Sequence, residues 1–175
     1  RYQELVHSIG EALQFMETVA NASISQLESV DLFTSHEGLH LTYEQSLTRQ
    51  VPRREGWYNL STHFPWIGDR TRDLDGAHIE YFRGIKNPIG LKVGPTVETD
   101  ELKKVCDVLN PENESGRLML IHRFGVEKIG EHLPRLIRAI KSSGQNVVWC
   151  SDPMHGNTFS TSEGIKTRHV DQIQK

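Results

Sequence analysis

The sequence predicts an α/β fold built on a parallel sheet, and three features carry that expectation. Short apolar runs alternate with helical stretches about five times, joined by brief connections. The runs, such as LMLI at 118–121 and VVW at 147–149, are continuous, with no apolar/polar alternation. Strands of that kind are buried on both faces, as in a parallel sheet covered by helices. Each run also ends in ionisable residues. A five-stranded doubly wound sheet and most of a (β/α)8 barrel both fit. A complete barrel takes roughly 250 residues, so the 175 residues here would make an incomplete one.

In order, residues 2–19 carry a helical stripe of Leu5, Ile9, Leu13, Phe15 and Met16. VDLFTSHEG is a short apolar run, LHLTYEQSLT returns to helical spacing, and VPRREG is a polar loop. WYNLSTHFPWIGDRT predicts a strand over 58–62 and then a long loop. A helix comes next in DLDGAHIEYFRGIK, with Asp73 or Asp75 as its cap, and Asn87-Pro88 ends it. IGLKVGP reads as the third strand, and TVETDELKKVCDVLN as a helix with Thr99 as N-cap and two acids in its first turn. GRLMLIHRFG is a strand, and VEKIGEHLPRLIRAIKSSG is a helix stopped by Gly144. NVVWCSDP is a strand, and TRHVDQIQK enters a last helix.

The net charge of −3 argues against a general nucleic-acid or membrane-surface binder. No apolar run reaches transmembrane length, and the first residues carry no signal-peptide pattern. Cys106 and Cys150 lie far apart and form no CxxC pair, so a reduced, intracellular chain is expected. The chain begins at Arg1 and stops inside a helical pattern, so a portion of a longer protein is expected.

The residues just after each apolar run form the informative pattern. The first run leads to Ser35-His36-Glu37 and the second to His63 and then Trp66-Ile67-Gly68-Asp69-Arg70. The others lead to Lys92, to His122-Arg123, and to Asp152 and His155. In a parallel α/β fold these positions share the end of the sheet where ligands bind. Arg70, Lys92 and Arg123 would converge with His155, and clustered cations there suit a phosphate or carboxylate. Each residue also has a purely structural reading. Lys92 could snorkel from an edge, Arg123 could pair with Asp152, and His36, His63 and His122 could cap or pack. For His155, two uses fit: proton transfer tuned by Asp152, or metal ligation oriented by a second carboxylate or carbonyl. There is no HxH, HExxH or paired CxxC pattern, and no GxGxxG or GxxxxGK[ST] loop.

The strings HFPWIGDRTRDLDGAHIEYFRGIKNPIGLKVGP, GRLMLIHRFG and VVWCSDPMHGNT, with GIKTRH after them, closely resemble class II 3-deoxy-D-arabino-heptulosonate 7-phosphate (DAHP) synthases. TSHEGLHLTYEQSLTR does so too, and the resemblance runs from about residue 30 to the last residue. It implies a (β/α)8 barrel of which this chain covers about the middle five βα units, with residues 1–30 a helical lead-in and 31–175 the central units. It implies a transferase of the shikimate pathway that condenses phosphoenolpyruvate with erythrose 4-phosphate and water, using a divalent metal such as Mn2+ or Co2+.

Carried over by motif, Asp69, Arg70, Lys92 and Arg123 would bind phosphoenolpyruvate, with Trp66 and Gly68 shaping its pocket. Lys92 and Asp69 would be catalytic, Asp69 by orienting the water, and His155 would be a metal ligand. Lys166 and Arg168 would lie near the aldehyde phosphate. The family usually carries Glu where Asp69 stands. Its other metal ligands, an early Cys and a late Glu and Asp, would lie outside this chain, so the isolated piece is expected to be inactive. The resemblance further implies a homo-oligomer in the cytoplasm, or in the plastid of a plant. Another metal-dependent, phosphate-binding aldolase-type barrel, or a non-catalytic homologue, is the alternative.

Overall fold

A computed structural model describes residues 2–20 and 32–175. The chain divides into two compact units, Arg1–Phe33 and Thr34–Lys175. In the first, α1 spans Tyr2–Ala20. Ile9 and Phe15 of its predicted stripe are exposed, and the side chains of Leu5 and Met16 lie outside the described residues.

The second unit is a mixed α/β fold around a parallel sheet of five strands: β1 (Ser35–Glu37), β4 (Phe64–Ile67), β5 (Ile89–Val93), β6 (Leu118–His122) and β7 (Val148–Ser151). The strands neighbour one another in chain order, and every pair is parallel. A doubly wound sheet reverses its strand order at a switch point; this one does not reverse among the described residues, an order compatible with part of a barrel. Between the strands run α2 (Leu41–Ser46), α3 (Ala77–Arg83), α4 (Thr99–Leu109) and α5 (Ile129–Ser143). Two antiparallel pairs stand apart from the sheet: β2 (Thr48–Gln50) with β3 (Trp57–Asn59), and β8 (Thr158–Ser160) with β9 (Lys166–Arg168). A short α6 (Val170–Ile173) comes last.

The core lies between one face of the sheet and helices α3 to α5. Ile67, Ile89, Leu91, Val93, Leu118 and Leu120 meet Ile79, Phe82, Leu102, Val105, Leu109, Leu136 and Ile140 there. Each such side chain contributes about 1.5–3 kcal/mol by leaving water. The register puts Glu37, Trp66 and Gly90 in one row on the opposite face, with Lys92 and Ile121 sharing the next. Burial on both faces holds for β5, but β7, at the edge, exposes Val148.

Several expected boundaries move. The run Leu32-Phe33 is exposed and not a strand; β1 begins two residues later, and Val30-Asp31 lie outside the described residues. The strand expected at 58–62 is the shorter β3, paired with β2 and not with the parallel sheet. The second strand of the main sheet is Phe64–Ile67, in the segment read as loop. Its Pro65 disguised it, because proline cannot donate to a ladder. Phe64 N–H donates to Thr34 O and Trp66 O accepts from Gly38 N–H, so Pro65 faces β5, where pairing starts only at Trp66. His63 therefore precedes its strand. The N-caps are Gly76 for α3 and Glu98 for α4, neither with a side-chain capping bond, in place of Asp73 or Asp75 and Thr99. Gly144 does end α5, in the left-handed conformation at φ 73°. The β8–β9 hairpin, whose strands hold Phe159 as their single apolar residue, gave no apolar pattern to read.

A cationic cavity at the carboxyl ends of the strands

A cavity of about 500 Å³ opens at the carboxyl end of the sheet. It takes in Trp66, Gly68, Asp69, Arg70, Lys92, Arg123 and His155, residues drawn from four separate stretches of the sequence. Glu37, Asp152, Thr158, Lys166 and Arg168 complete its lining. Parallel pairing explains the gathering: strands in register end together, so the residue after each strand reaches the same space.

Its chemistry is organised by two acids. Asp69 opens a 3-10 turn, Asp69–Thr71, just after β4. Its Oδ2 accepts from Arg123 Nη1 at 2.9 Å, and its Oδ1 accepts from Gly94 N–H at 3.0 Å and Arg72 Nε at 3.1 Å. A Cβ on Gly94 would overlap the Asp69 carboxylate, so glycine permits that approach. Arg72 in turn pairs with Glu101 of α4, tying the turn to the helix layer. Asp152 lies just after β7. Its Oδ2 lies 2.5 Å from Lys92 Nζ and 2.7 Å from His155 Nδ1, while Oδ1 accepts the backbone N–H groups of Met154 and His155. Burial alone would raise the Asp152 carboxyl, but hydrogen bonds from Lys92 and His155, with the Lys92 charge, bring it down to about 2. Asp152 is therefore a fixed anion.

Both interior cations are thus held in place. Lys92 stays beside Asp152 with its ammonium 5.7 Å from the Trp66 ring centroid. Arg123 bridges Asp69 and the His155 carbonyl, which accepts from Nη2 at 3.1 Å. The pairing of Arg123 with Asp152 considered from sequence does not occur; Lys92 takes that acid instead. Arg70 is exposed at the rim and makes no hydrogen bond or ion pair among the described residues; Lys166 is similar. Arg168 Nε donates to the Met154 carbonyl. An incoming anion would meet three strand-end cations, two of them pre-positioned.

His155 keeps its imidazole ordered through Nδ1 and leaves Nε2 without a partner among the described residues. No group of three or more His, Cys, Asp or Glu able to hold a metal occurs among the described residues. His155 alone offers one ring nitrogen, and a complete metal site needs further ligands from outside the described residues.

His36, His63 and His122 do not line the cavity. His36 Nε2 pairs with Glu44, His63 Nδ1 lies 3.1 Å from Thr34 Oγ1, and His122 stacks on Phe124 in the helix layer. Sequence reasoning gave no site role to Glu37, Arg72 or Gly94. Glu37 was visible as an acid at a strand end, but only the register shows that it faces inward.

Comparison with known proteins agrees over the whole chain. It is 48% identical to the phospho-2-dehydro-3-deoxyheptonate aldolase of Neurospora crassa, across 99% of this chain and 39% of that protein. A probable chloroplastic phospho-2-dehydro-3-deoxyheptonate aldolase of Catharanthus roseus is 45% identical, across 99% and 35%. The phospho-2-dehydro-3-deoxyheptonate aldolase of Streptomyces coelicolor is 44% identical, across 99% and 38%. The chain thus spans between a third and two fifths of the length of these relatives. A profile of the Class-II DAHP synthetase family matches residues 1–175, and with the resemblance of its strand-end motifs this shows that the chain belongs to that family.

Proposed function

We propose that the protein containing this chain is a DAHP synthase, condensing phosphoenolpyruvate with erythrose 4-phosphate and water to give DAHP and phosphate, the first step of the shikimate pathway. The observation that carries this reading is the set Arg70, Lys92 and Arg123 in one cavity, with Asp152 and Asp69 behind the last two. Phosphoenolpyruvate brings a phosphate and a carboxylate, and fixed cations bind both without reorganising during the reaction. Trp66 and Gly68 shape the floor, and Lys92 is placed to stabilise charge as the C–O bond to phosphate breaks. Lys166 and Arg168 are assigned to the aldehyde phosphate.

The sequential parallel sheet supports a (β/α)8 barrel in which 31–175 supply the central five units and 1–30 a lead-in. The family is generally metal-dependent. In the whole protein, His155 would contribute one ligand to a divalent ion, Mn2+ or Co2+ in our reading. That ion would polarise the aldehyde oxygen. What this chain does is bind and orient the anion and hold the imidazole through Asp152. Asp69, which accepts from Arg123, Arg72 and Gly94, positions Arg123 and, as the resemblance implies, would help orient the water. No described helix is long and apolar enough to cross a membrane. A cytoplasmic or plastid homo-oligomer with no nucleic-acid or membrane partner completes the proposal.

The test is release of phosphate from phosphoenolpyruvate by the full-length protein, with DAHP measured alongside. Formation of both only when erythrose 4-phosphate is present supports the reading; phosphate release without it, or with another aldehyde alone, overturns it. The 175-residue piece is expected to form no product, and turnover by it would show that the remaining barrel is dispensable.

A further inference from the structure

Three acids line the cavity, and two are fully engaged. Both oxygens of Asp69 and both of Asp152 accept from cations, an imidazole or backbone N–H groups. Glu37 differs. It is half-buried at the end of β1, and its carboxylate makes no hydrogen bond or ion pair among the described residues. Pairing of Glu37 with Trp66 turns it to the cavity face of the sheet. Gly68 makes room for it, since a Cβ there would overlap Glu37 Oε1. β1 and β7 are the outer strands of this sheet, so Glu37 and His155 approach the cavity from opposite edges.

We propose that Glu37 is the proton acceptor for the water that adds to C2 of phosphoenolpyruvate. The proposal rests on the reading of the cavity as a DAHP synthase site. The electron pair of the C2–C3 double bond forms the new bond from C3 to the aldehyde carbon, whose oxygen takes up one proton. Water oxygen bonds to C2 as its first O–H bond breaks, and that proton passes to the Glu37 carboxylate, to be returned through solvent. The hydroxyl left on C2 becomes the ketone as the C2–O bond to phosphate breaks. Its proton leaves with the phosphate, so both water protons and the one taken by the aldehyde oxygen balance. An acid tied up by Lys92 or Arg123 is a poor proton acceptor; a carboxylate without a cation partner is available for the task.

The experiment uses the full-length enzyme with Glu37→Gln and Glu37→Ala. We expect kcat to fall about 100-fold or more, the range for loss of a general base, with KM for phosphoenolpyruvate within about threefold because the cations are untouched. Formate is expected to restore part of the Glu37→Ala rate by standing in for the missing carboxylate. A Glu37→Gln kcat within about threefold of wild type overturns the proposal, as does a rate loss that formate does not relieve or a loss confined to KM. If Glu37→Gln does not fold, the formate response of Glu37→Ala decides. A wild-type enzyme that makes no DAHP fails the reading of the site itself, a different outcome from an active wild type beside an undiminished variant.

Discussion

Two polar clusters lie within the same unit, one closed and one open. In the first, Glu44 of α2, 2% exposed, meets His36 Nε2 at 2.8 Å, Asn59 Nδ2 at 2.6 Å and Ser61 Oγ at 2.8 Å. Asn59 is locked in turn by Asn87, which accepts its backbone N–H at 2.8 Å and donates to its carbonyl at 2.9 Å. The second is the strand-end cavity, where Asp69 and Asp152 hold Arg123 and Lys92 but Arg70 and Lys166 face solvent unmatched. The closed cluster satisfies its own members, as a buried carboxylate must. The open one has spare cationic capacity, which is what the proposed anion site requires. Burial alone would not have separated them; completeness of pairing does.

The sharpest way to break this comparison is Arg123→Ala in the full-length enzyme. Losing a charge-assisted contact to the anion and stranding Asp69 should raise KM for phosphoenolpyruvate about 100-fold. Equilibrium unfolding should change far less. An unaltered KM would remove Arg123 from the cradle.

Glu44→Ala should do the converse. It removes the shared acceptor of Asn59, Ser61 and His36 and should cost about 3 kcal/mol in urea unfolding, while the folded fraction keeps its KM for phosphoenolpyruvate. A variant that stays stable but loses substrate affinity would make the closed cluster part of the site.

The smallest expected effect concerns His122, which belongs to neither cluster. Its Nδ1 is buried with no hydrogen-bond partner among the described residues. Burial lowers its pKa from the ordinary 6.5, against the opposing pull of Asp152. The folded state therefore favours the neutral ring. The associated stability is complete above about pH 6.5 and is withdrawn as pH falls from there through the lowered value. His122→Phe, which preserves the stack on Phe124, should flatten this part of the stability–pH curve between pH 7 and 5. Parallel curves for the two proteins would count against it.

Legibility depended on how local each feature was. β5, β6, α4 and α5 were readable because their apolar periods reflect burial against one core, and Gly144 marks its own stop. Asn59, Asn87 and Ser61 offered no signal, because a hydrogen-bond network between residues 28 apart leaves no periodic trace. β4 was missed through Pro65, whose lack of a donor is harmless only because β5 pairs one residue later. Family resemblance supplied the candidate residues; it did not supply their pairing.

The sequence by itself determined the α/β alternation, the family, and the placing of cations after successive strands, since each is written in residue types within a short window. Only the tertiary structure decided that Asp152 takes Lys92, that Asp69 takes Arg123, and that Glu37 faces the cavity unpaired among the described residues. Those outcomes depend on parallel register, which fixes which side chains share a face and how far each can reach across strands.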